Sequence, residues 1–414
     1  MKHLIKSSLL VTTLLASSSM VHAAGHGCTV DGGRVNIIGN EFPAIQTVVA
    51  GATKCSGVEV TSNLTKEHRD LQVAALKANP AEYTSAIVAN SSIVPLINDG
   101  LIRPLDDLVA KYGEGLKKNQ LITIDGKVMA VAFMANAQHL MYRKDILAKV
   151  GADVPKSYED VVAVAKMIKD KGIMNYPLTG TFKSGWNLGE EFVNMYMGTG
   201  GAMFKDGTAE VSVNNANGVK ALNMMKSLTE YMNPDFLTYD SNAAAAEWEA
   251  GNVAVMNLWG SRAAPITDDE GSTPEIVSNT MFASAPTLGG GSTPATTLWW
   301  DGFTIAANIS DEDAAATFQA MMNGIKPGSL TEETAKQTVW LIDGYTPSAT
   351  AKGVFATANA GAKPYPMLPF GGLLHTAAGA ELADFLQGKE SAEQALTDIE
   401  AAYNTAAKEK GFLK

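Results

Sequence analysis

Cysteine is scarce: the 414-residue chain has two, Cys28 and Cys55. With no CxxC and no clustered His/Cys set, neither a metal site nor a redox centre has ligands to draw on, and no metal or other cofactor is expected. Long apolar runs are also missing. No segment of the mature chain approaches the roughly 18 uninterrupted apolar residues that a membrane-spanning helix needs, so a soluble protein is expected. Charged residues make up 18 % of the chain, and basic ones are the minority, 32 against 43 acidic, for a formal charge of −11. That balance disfavours nucleic acid and anionic membrane surfaces as partners. Low-complexity tracts and repeats are absent. So are Gly-x-Ser-x-Gly, His-Glu-x-x-His and a phosphate-binding Gly-rich loop ending in Lys-Ser/Thr.

What is present starts with a leader. Lys2 and Lys6 precede the apolar run 9–16, and Val21-His-Ala23 offers small residues at −3 and −1 of a cut after Ala23, the pattern of a signal peptide over residues 1–23. Gly25, three before Cys28, is not the aliphatic residue a lipid anchor wants there. A periplasmic protein is expected, of about 390 residues. Two of the 32 basic residues lie in the leader, leaving 30 against 43 acidic, nearer −13. In an oxidising compartment the isolated cysteine pair reads as one disulfide, Cys28–Cys55. About 390 residues exceed one compact core and suit two lobes.

Strand and helix signals alternate. Residues 34–38, 58–61 and 84–89 read as strands, with helices over 45–54 and 66–78 between them. Short strands alternating with helices of about ten residues imply βαβ units and a mainly parallel sheet. Ligands of such sheets sit beyond the carboxyl ends of the strands. This singles out Asn40, Glu41 and Phe42 after the first strand and Asn90, Ser91 and Ser92 after the third, residues that also suit caps and turns. A second block follows: a strand over 126–133, another over 139–145 running into a helix, then a helix opened by Ser157 as cap with Asp160 three residues on. Val161, Val164, Ala165 and Ile168 mark its buried face. Ser391 caps a further helix whose face is Ala395, Leu396 and Ile399. Glu190-Glu191 reads as the exposed start of a helix, His375 as a structural histidine, and 353–374 as a loop-interrupted stretch.

Two segments carry the chemistry. Trp299, Trp300 and Asp301 stand directly before an apolar, strand-like run, and residues 252–262 end another such run in Trp259, Gly260 and Arg262. Indole faces cover the C–H faces of a pyranose while charged forks take its hydroxyls. Each tryptophan taken singly also suits a core. Two such segments in a secreted chain without a catalytic motif point to a carbohydrate receptor, in which Trp300→Ala is expected to weaken binding at least tenfold and leave folding intact.

The chain resembles the extracellular solute-binding proteins that serve ATP-driven sugar importers, family 1, the maltose-binding-protein-like group. The marks are Ile124-Asp-Gly-Lys-Val-Met-Ala-Val-Ala, Leu-Met-Tyr-Arg-Lys-Asp-Ile-Leu, Val-Pro-Lys-Ser-Tyr-Glu-Asp, Glu249-Ala-Gly-Asn-Val-Ala-Val-Met-Asn-Leu-Trp-Gly and Trp-Asp-Gly-Phe-Thr-Ile-Ala-Ala-Asn, in this order across the mature chain. Phe133 and Arg143 depart from the pattern, which has proline and asparagine there. The resemblance implies an α/β, two-lobed periplasmic-binding-protein fold (type II), each lobe a mainly parallel sheet flanked by helices, with a hinge between. The N-terminal lobe is expected from 24–134 plus 286–344, the C-terminal lobe from 135–285 plus 345–414. It implies Glu41 and Asn90 as cleft residues, Asn136 as a polar group six before Tyr142, Trp186 and Trp259 as stacking aromatics, and Trp300 with Asp301 on a late cleft strand. Phe370 to Leu373 lie near another aromatic position, where Gly371 and Gly372 replace bulk and imply a roomier cleft or a different stacking partner.

The function implied is capture of a sugar or polyol by closure of the cleft, then delivery by a monomeric receptor to the permease of an ABC importer. The alternatives are a polyamine or phosphorylated-polyol receptor on the same fold, or a secreted carbohydrate-active enzyme using Glu41 and Asp301, perhaps with Glu190 or Glu191.

Overall fold

The computed structural model describes residues 28–268 and 270–414; the leader lies outside them. The first lobe is built on β1 (Val35–Gly39), α1 (Pro43–Ala52), β2 (Val60–Leu64), α2 (His68–Lys77), β3 (Ser85–Ala89), α3 (Asn90–Asn98) and α4 (Asp106–Tyr112), followed by β4 (Leu121–Ile124) and the long β5 (Lys127–Arg143). Pro43 at the first position of α1 fixes φ for the helix start, and Ala44, Ile45, Val48, Val49 and Ala52 form its buried face. Next come α5 (Lys144–Val150), α6 (Tyr158–Asp170), β6 (Leu178–Thr179), α7 (Trp186–Gly198), α8 (Ala216–Thr229), α9 (Ser241–Glu249), β7 (Val255–Trp259), α10 (Pro274–Asn279) and β8 (Thr280–Ala283). The chain returns through β9 (Thr297–Phe303), α11 (Asp311–Gly324) and β10 (Val339–Trp340), then ends with α12 (Lys352–Asn359), β11 (Lys363–Pro364), α13 (Gly371–Leu386) and α14 (Ala392–Glu409). The Ser157–Asp160 capping box forms as the sequence indicates, and Ser391 accepts from Gln394 N–H. Helix α12 occupies the start of the 353–374 stretch.

The strands run β2-β1-β3-β9-β5-β7-β6, with β4, β8 and β10 also paired to β5 and β11 to β9. Parallel pairing holds at β2-β1-β3 and at β6-β7, where a helix carries the chain back over the sheet. The middle is antiparallel: β9 arrives only after the second lobe is built, and runs against both β3 and β5. Strand β5 corrects the expectation of two strands. The Ala135–Gln138 interval looks like a break in sequence, yet Ala135, Asn136 and Ala137 pair with β9 and Gln138 with β7, so one 17-residue strand crosses both lobes. Strand β9 likewise begins at Thr297, so Trp299, Trp300 and Asp301 lie inside it rather than before it.

The two lobes have separate cores. Val131, Phe133 and Met134 of β5 pack with β1, α1, α11 and Phe303, whereas Leu140 and Trp299 pack with α6, α7, α8, α13 and α14. A disulfide joins Cys28 to Cys55, tying the segment before β1 to the end of α1. In the chain-entropy model a loop of this length adds about 3 kcal/mol.

Candidate functional site

A cavity of about 260 Å³ opens where the ends of β1, β2 and β7 meet the middle of β5 and β9. Asn40, Glu41 and Phe42 reach it from the turn between β1 and α1, Lys66 and Glu67 from the turn between β2 and α2, and Arg69 from the start of α2. Both turns lie beyond the carboxyl ends of parallel strands, where such sheets bind ligands. From the other lobe come Trp186 and Asn187 at the start of α7, Asp240, Ser241 and Asn242 at the cap of α9, and Trp259, Ser261 and Arg262 after β7. Asn136 of β5 and Trp299 and Asp301 of β9 complete the wall.

Three indoles form one side. The Trp186 and Trp259 rings lie nearly parallel, centroids 6.4 Å apart, and Trp299 meets each edge-on at 5.6 and 5.7 Å. Trp299 is held from behind: Tyr365 packs on it at 4.3 Å, and its Nε1–H lies 2.7 Å from Thr297 Oγ1 and 3.0 Å from Glu190 Oε1. With its N–H committed, Trp299 offers the cavity its apolar surface. Trp186 is anchored by His375, whose Nε2 lies 2.8 Å from the Trp186 carbonyl and whose Nδ1 lies 2.9 Å from the Tyr365 hydroxyl. Burial pushes His375 down to about 4, so it is neutral and donates from Nε2.

Charge is gathered around Asp301. Its carboxyl has no hydrogen-bond partner among the described residues, and Arg69 and Arg262 are the cations acting on it. Burial raises Asp301 to about 7 against the pull of both. Burial also lowers Arg262 to about 10, with Asp240 and Asp301 opposing. The guanidinium carbon of Arg69 lies 4.1 Å from the Trp186 ring centroid, and that of Arg262 lies 5.6 Å from that of Phe42. Each arginine thus stacks on an aromatic ring of the opposite lobe, and each keeps a buried Nε without a partner among the described residues. Arg262 reaches Ser241 Oγ at 3.2 Å, and Lys183 Nζ stands 3.7 Å from Asp240 Oδ2. Asp240 caps α9 by accepting from the Asn242 and Ala243 N–H groups. Asn136 accepts from Ser261 N–H at 3.3 Å and donates to Ser261 Oγ at 3.2 Å, fixing the turn that presents Arg262. One acceptor sharing a cavity with two fork-shaped donors, under a cover of indoles, can take up vicinal hydroxyls.

Several sequence expectations need correction. Trp300 does not line this cavity: neighbouring side chains on a strand point to opposite faces, and Trp300 packs against the core under β3 and α3 while Trp299 and Asp301 face the cavity. Asn90 is likewise absent from the wall; its amide is committed to β9, accepting from Trp300 N–H at 2.9 Å and donating to Leu298 O at 3.4 Å. Ser91 faces a different cavity, beside α2 and α13. Glu190-Glu191, expected to be exposed, is buried, at 0 % and 4 %, because α7 is enclosed on nearly every side. Burial raises Glu190 well above the usual carboxylate range and Glu191 to about 7. Phe133 and Arg143 stay out of the wall, Phe133 in the first core and Arg143 bonded to Asp145 through two N–H groups at 2.8 Å.

Lys66, Glu67, Arg69, Lys183, Asn187, Asp240, Ser241 and Asn242 were not singled out in the sequence. Lys66 to Arg69 follow β2, so the rule that selected the turns after β1 and β3 points to them as well. The Asp240 cap reads in sequence only as a helix start.

Comparison with known proteins matches residues 40–324 to the family model described as bacterial extracellular solute-binding protein. A probable ABC transporter-binding protein of Deinococcus radiodurans is 29 % identical over 195 residues, 45 % of this chain and 44 % of that protein, so the match spans less than half of the curated relative's length. Among solved structures, a ribitol-bound solute-binding protein of Agrobacterium radiobacter K84 gives a TM-score of 0.79 at 19 % identity, over 91 % of this chain and 100 % of that one. A D-mannitol-bound one of Agrobacterium vitis S4 gives 0.74 at 20 % over 92 % and 99 %, and maltose-bound T. maritima MalE3 gives 0.73 at 17 % over 91 % and 100 %. At these identities the likeness is one of fold.

Proposed function

The chain belongs to the bacterial extracellular solute-binding protein family, and from that premise we propose that it is a periplasmic receptor for a neutral sugar or polyol, which it hands to the permease of an ABC importer. The observation that carries this reading is Asp301, without a hydrogen-bond partner among the described residues, sharing one cavity with Arg69, Arg262 and the three-indole wall. Structures of this fold hold ribitol, D-mannitol, α-D-tagatose and maltose. We place two lobe boundaries at 134/135 and 344/345, as the sequence indicates, and move the third from 285/286 into β9, whose Trp299 packs in the second core and Phe303 in the first. Strands β5 and β9 are then the crossing strands on which closure turns, and the working form is a monomer.

The charge of the cavity argues against the same-fold alternatives. Lys66, Arg69, Lys183 and Arg262 are matched in number by Glu41, Glu67, Asp240 and Asp301, so neither a polyamine nor a phosphate ester finds the excess charge it needs. The family is one of receptors rather than enzymes. Of the carboxyls an enzyme reading would use, Glu190 and Glu191 are spent inside the protein on Thr297, Trp299, Gln138 and Thr181.

A thermal-shift screen of the mature protein tests the assignment, using neutral sugars, polyols, phosphorylated polyols and polyamines. A ligand at 100 times its Kd adds about 2.7 kcal/mol. A neutral sugar or polyol should raise the midpoint of the wild type and of Trp300→Ala but not that of Trp299→Ala. Shifts with amines or phosphates alone would discard the proposal.

A further inference from the structure

Beyond Arg69 and Trp186 a second cavity of about 1000 Å³ opens, and Lys66, Arg69 and Trp186 line both spaces. The partition between them is one stacked pair, Arg69 of α2 on Trp186 of α7, with 4.1 Å from guanidinium carbon to ring centroid. The two sides differ in character. The inner cavity, at about 260 Å³, falls below the roughly 300–1,000 Å³ usual for drug-sized ligands. The outer one is faced by Val73, Leu368, Pro369 and Phe412, and at Gly372 a side chain would meet nothing within 4 Å. The Ser91 hydroxyl there is buried without a partner among the described residues. Of the two glycines noted in the sequence as replacing bulk, Gly372 therefore opens the outer space, and neither lines the inner one.

The partition is movable by construction. A cation over an indole is attracted by the ring quadrupole and needs no covalent or interlocked contact. Asp301 attracts the same guanidinium from the inner side, while its Nε stays without a partner.

Resting on the receptor reading above, we propose that Arg69 sets ligand length. Stacked on Trp186, it closes the inner cavity around one sugar ring or one acyclic polyol; removed, it lets the two cavities join into a trough that admits an oligosaccharide. Lysine at this position keeps the charge but loses the flat face that covers the indole.

Isothermal titration calorimetry on the mature wild type, Arg69→Ser and Arg69→Lys tests this with ribitol, D-mannitol, D-tagatose and D-glucose as single-unit probes and maltose and maltotriose as longer ones. The wild type should bind at least one single-unit probe about tenfold or more tighter than either longer probe, the scale of one desolvated cation–π contact. In Arg69→Ser the ratio of longer to single-unit affinity should rise about tenfold or more, with Arg69→Lys between. Wild type binding maltotriose as tightly as a single unit, or an unchanged ratio in Arg69→Ser, overturns the length proposal and leaves the receptor reading standing. Wild type binding none of the six probes overturns the receptor reading and this proposal with it. Thermal midpoints report folding of the variants; if Arg69→Ser does not fold, the wild-type selectivity and Arg69→Lys decide.

Discussion

Asp301 enters the cavity without a partner of its own, and its protonation follows from that. Burial brings its pKa to about 7 in the free protein, against the pull of Arg69 and Arg262. Sugar hydroxyls donating to the carboxylate favour its ionised form, so the bound protein holds the proton less tightly than the free one. Ligand affinity should therefore fall as pH is lowered from 8 through 7 to 6, by up to about tenfold per unit. Asp301→Asn should remove this dependence and weaken binding at pH 8 by about 1.5–3 kcal/mol, the range for hydrogen bonds to a charged group. Calorimetry at pH 6, 7 and 8 measures both, and a wild-type affinity flat across that range would take Asp301 out of ligand contact. Trp299 and Trp300 carry the matching lesson. Period-two alternation puts Trp299 and Asp301 on one face and Trp300 on the other, and only the pairing of β9 with β3 and β5 decides which face is turned to the cavity.

Strand β9 is the element on which the site depends. It lies between β3 and β5, and the β5 register shifts opposite it between Ala132 and Met134. Gly302 fits that place because a Cβ there would stand 2.6 Å from Val131 O and 2.9 Å from Ala132 Cα. Gly302→Ala should destabilise the protein by about 1–3 kcal/mol, as overpacking does, and should also weaken ligand binding, because Asp301 precedes it on the strand. Urea unfolding together with a binding titration would show this; normal values for both would mean that the strands part without cost. Helix α7 shows why element-level reading stops short. Adjacent glutamates are a surface signal in a helix exposed on one face, but α7 meets β9, α8 and α13; Glu190 finds its partners on β9, and Glu191 finds Gln138 of β5 and Thr181.

Over the whole molecule, buried titratable groups set the pH range of stability. Glu190, Glu191 and Asp301 have folded pKa values raised by burial from 4.5 or 3.8, two of them to about 7. Their contribution is full below the unfolded values and is lost as pH rises through the folded ones. His68, His139 and His375 are lowered by burial from 6.5 to about 3, 4 and 4. Their contribution is full above 6.5 and is lost as pH falls toward the folded values. Between about 4.5 and 6.5 the two sets oppose each other, three groups against three, giving a plateau. Above 6.5 the carboxyls act alone and stability should decline through about pH 7. Below about 4 it should fall steeply, because Asp145, Asp160 and Asp240, all held below their ordinary values, lose their bonds as they protonate. Thermal midpoints by circular dichroism from pH 3 to 9 would reveal the plateau, and a midpoint still climbing between pH 6.5 and 8 would contradict the buried carboxyls.

The sequence by itself determined what depends on neighbours along the chain. The alternation of strands and helices, the Ser157 and Ser391 caps, the cysteine pair and the α/β class are all written in spacings of one to four residues or in composition. That Asn40–Phe42 would face a cavity was legible because the turn follows the carboxyl end of a parallel strand. Tertiary structure alone decided the rest. It turned Trp299 inward and Trp300 outward, bound the Asn90 amide to β9, enclosed Glu190 and Glu191, and brought Arg69 of one lobe onto Trp186 of the other. Each of these is a contact between segments more than 100 residues apart in the chain, apart from the enclosure of Glu191 by Thr181 and Gln138. No local periodicity encodes such a contact; it exists only once two lobes with separate cores are joined by the same pair of crossing strands.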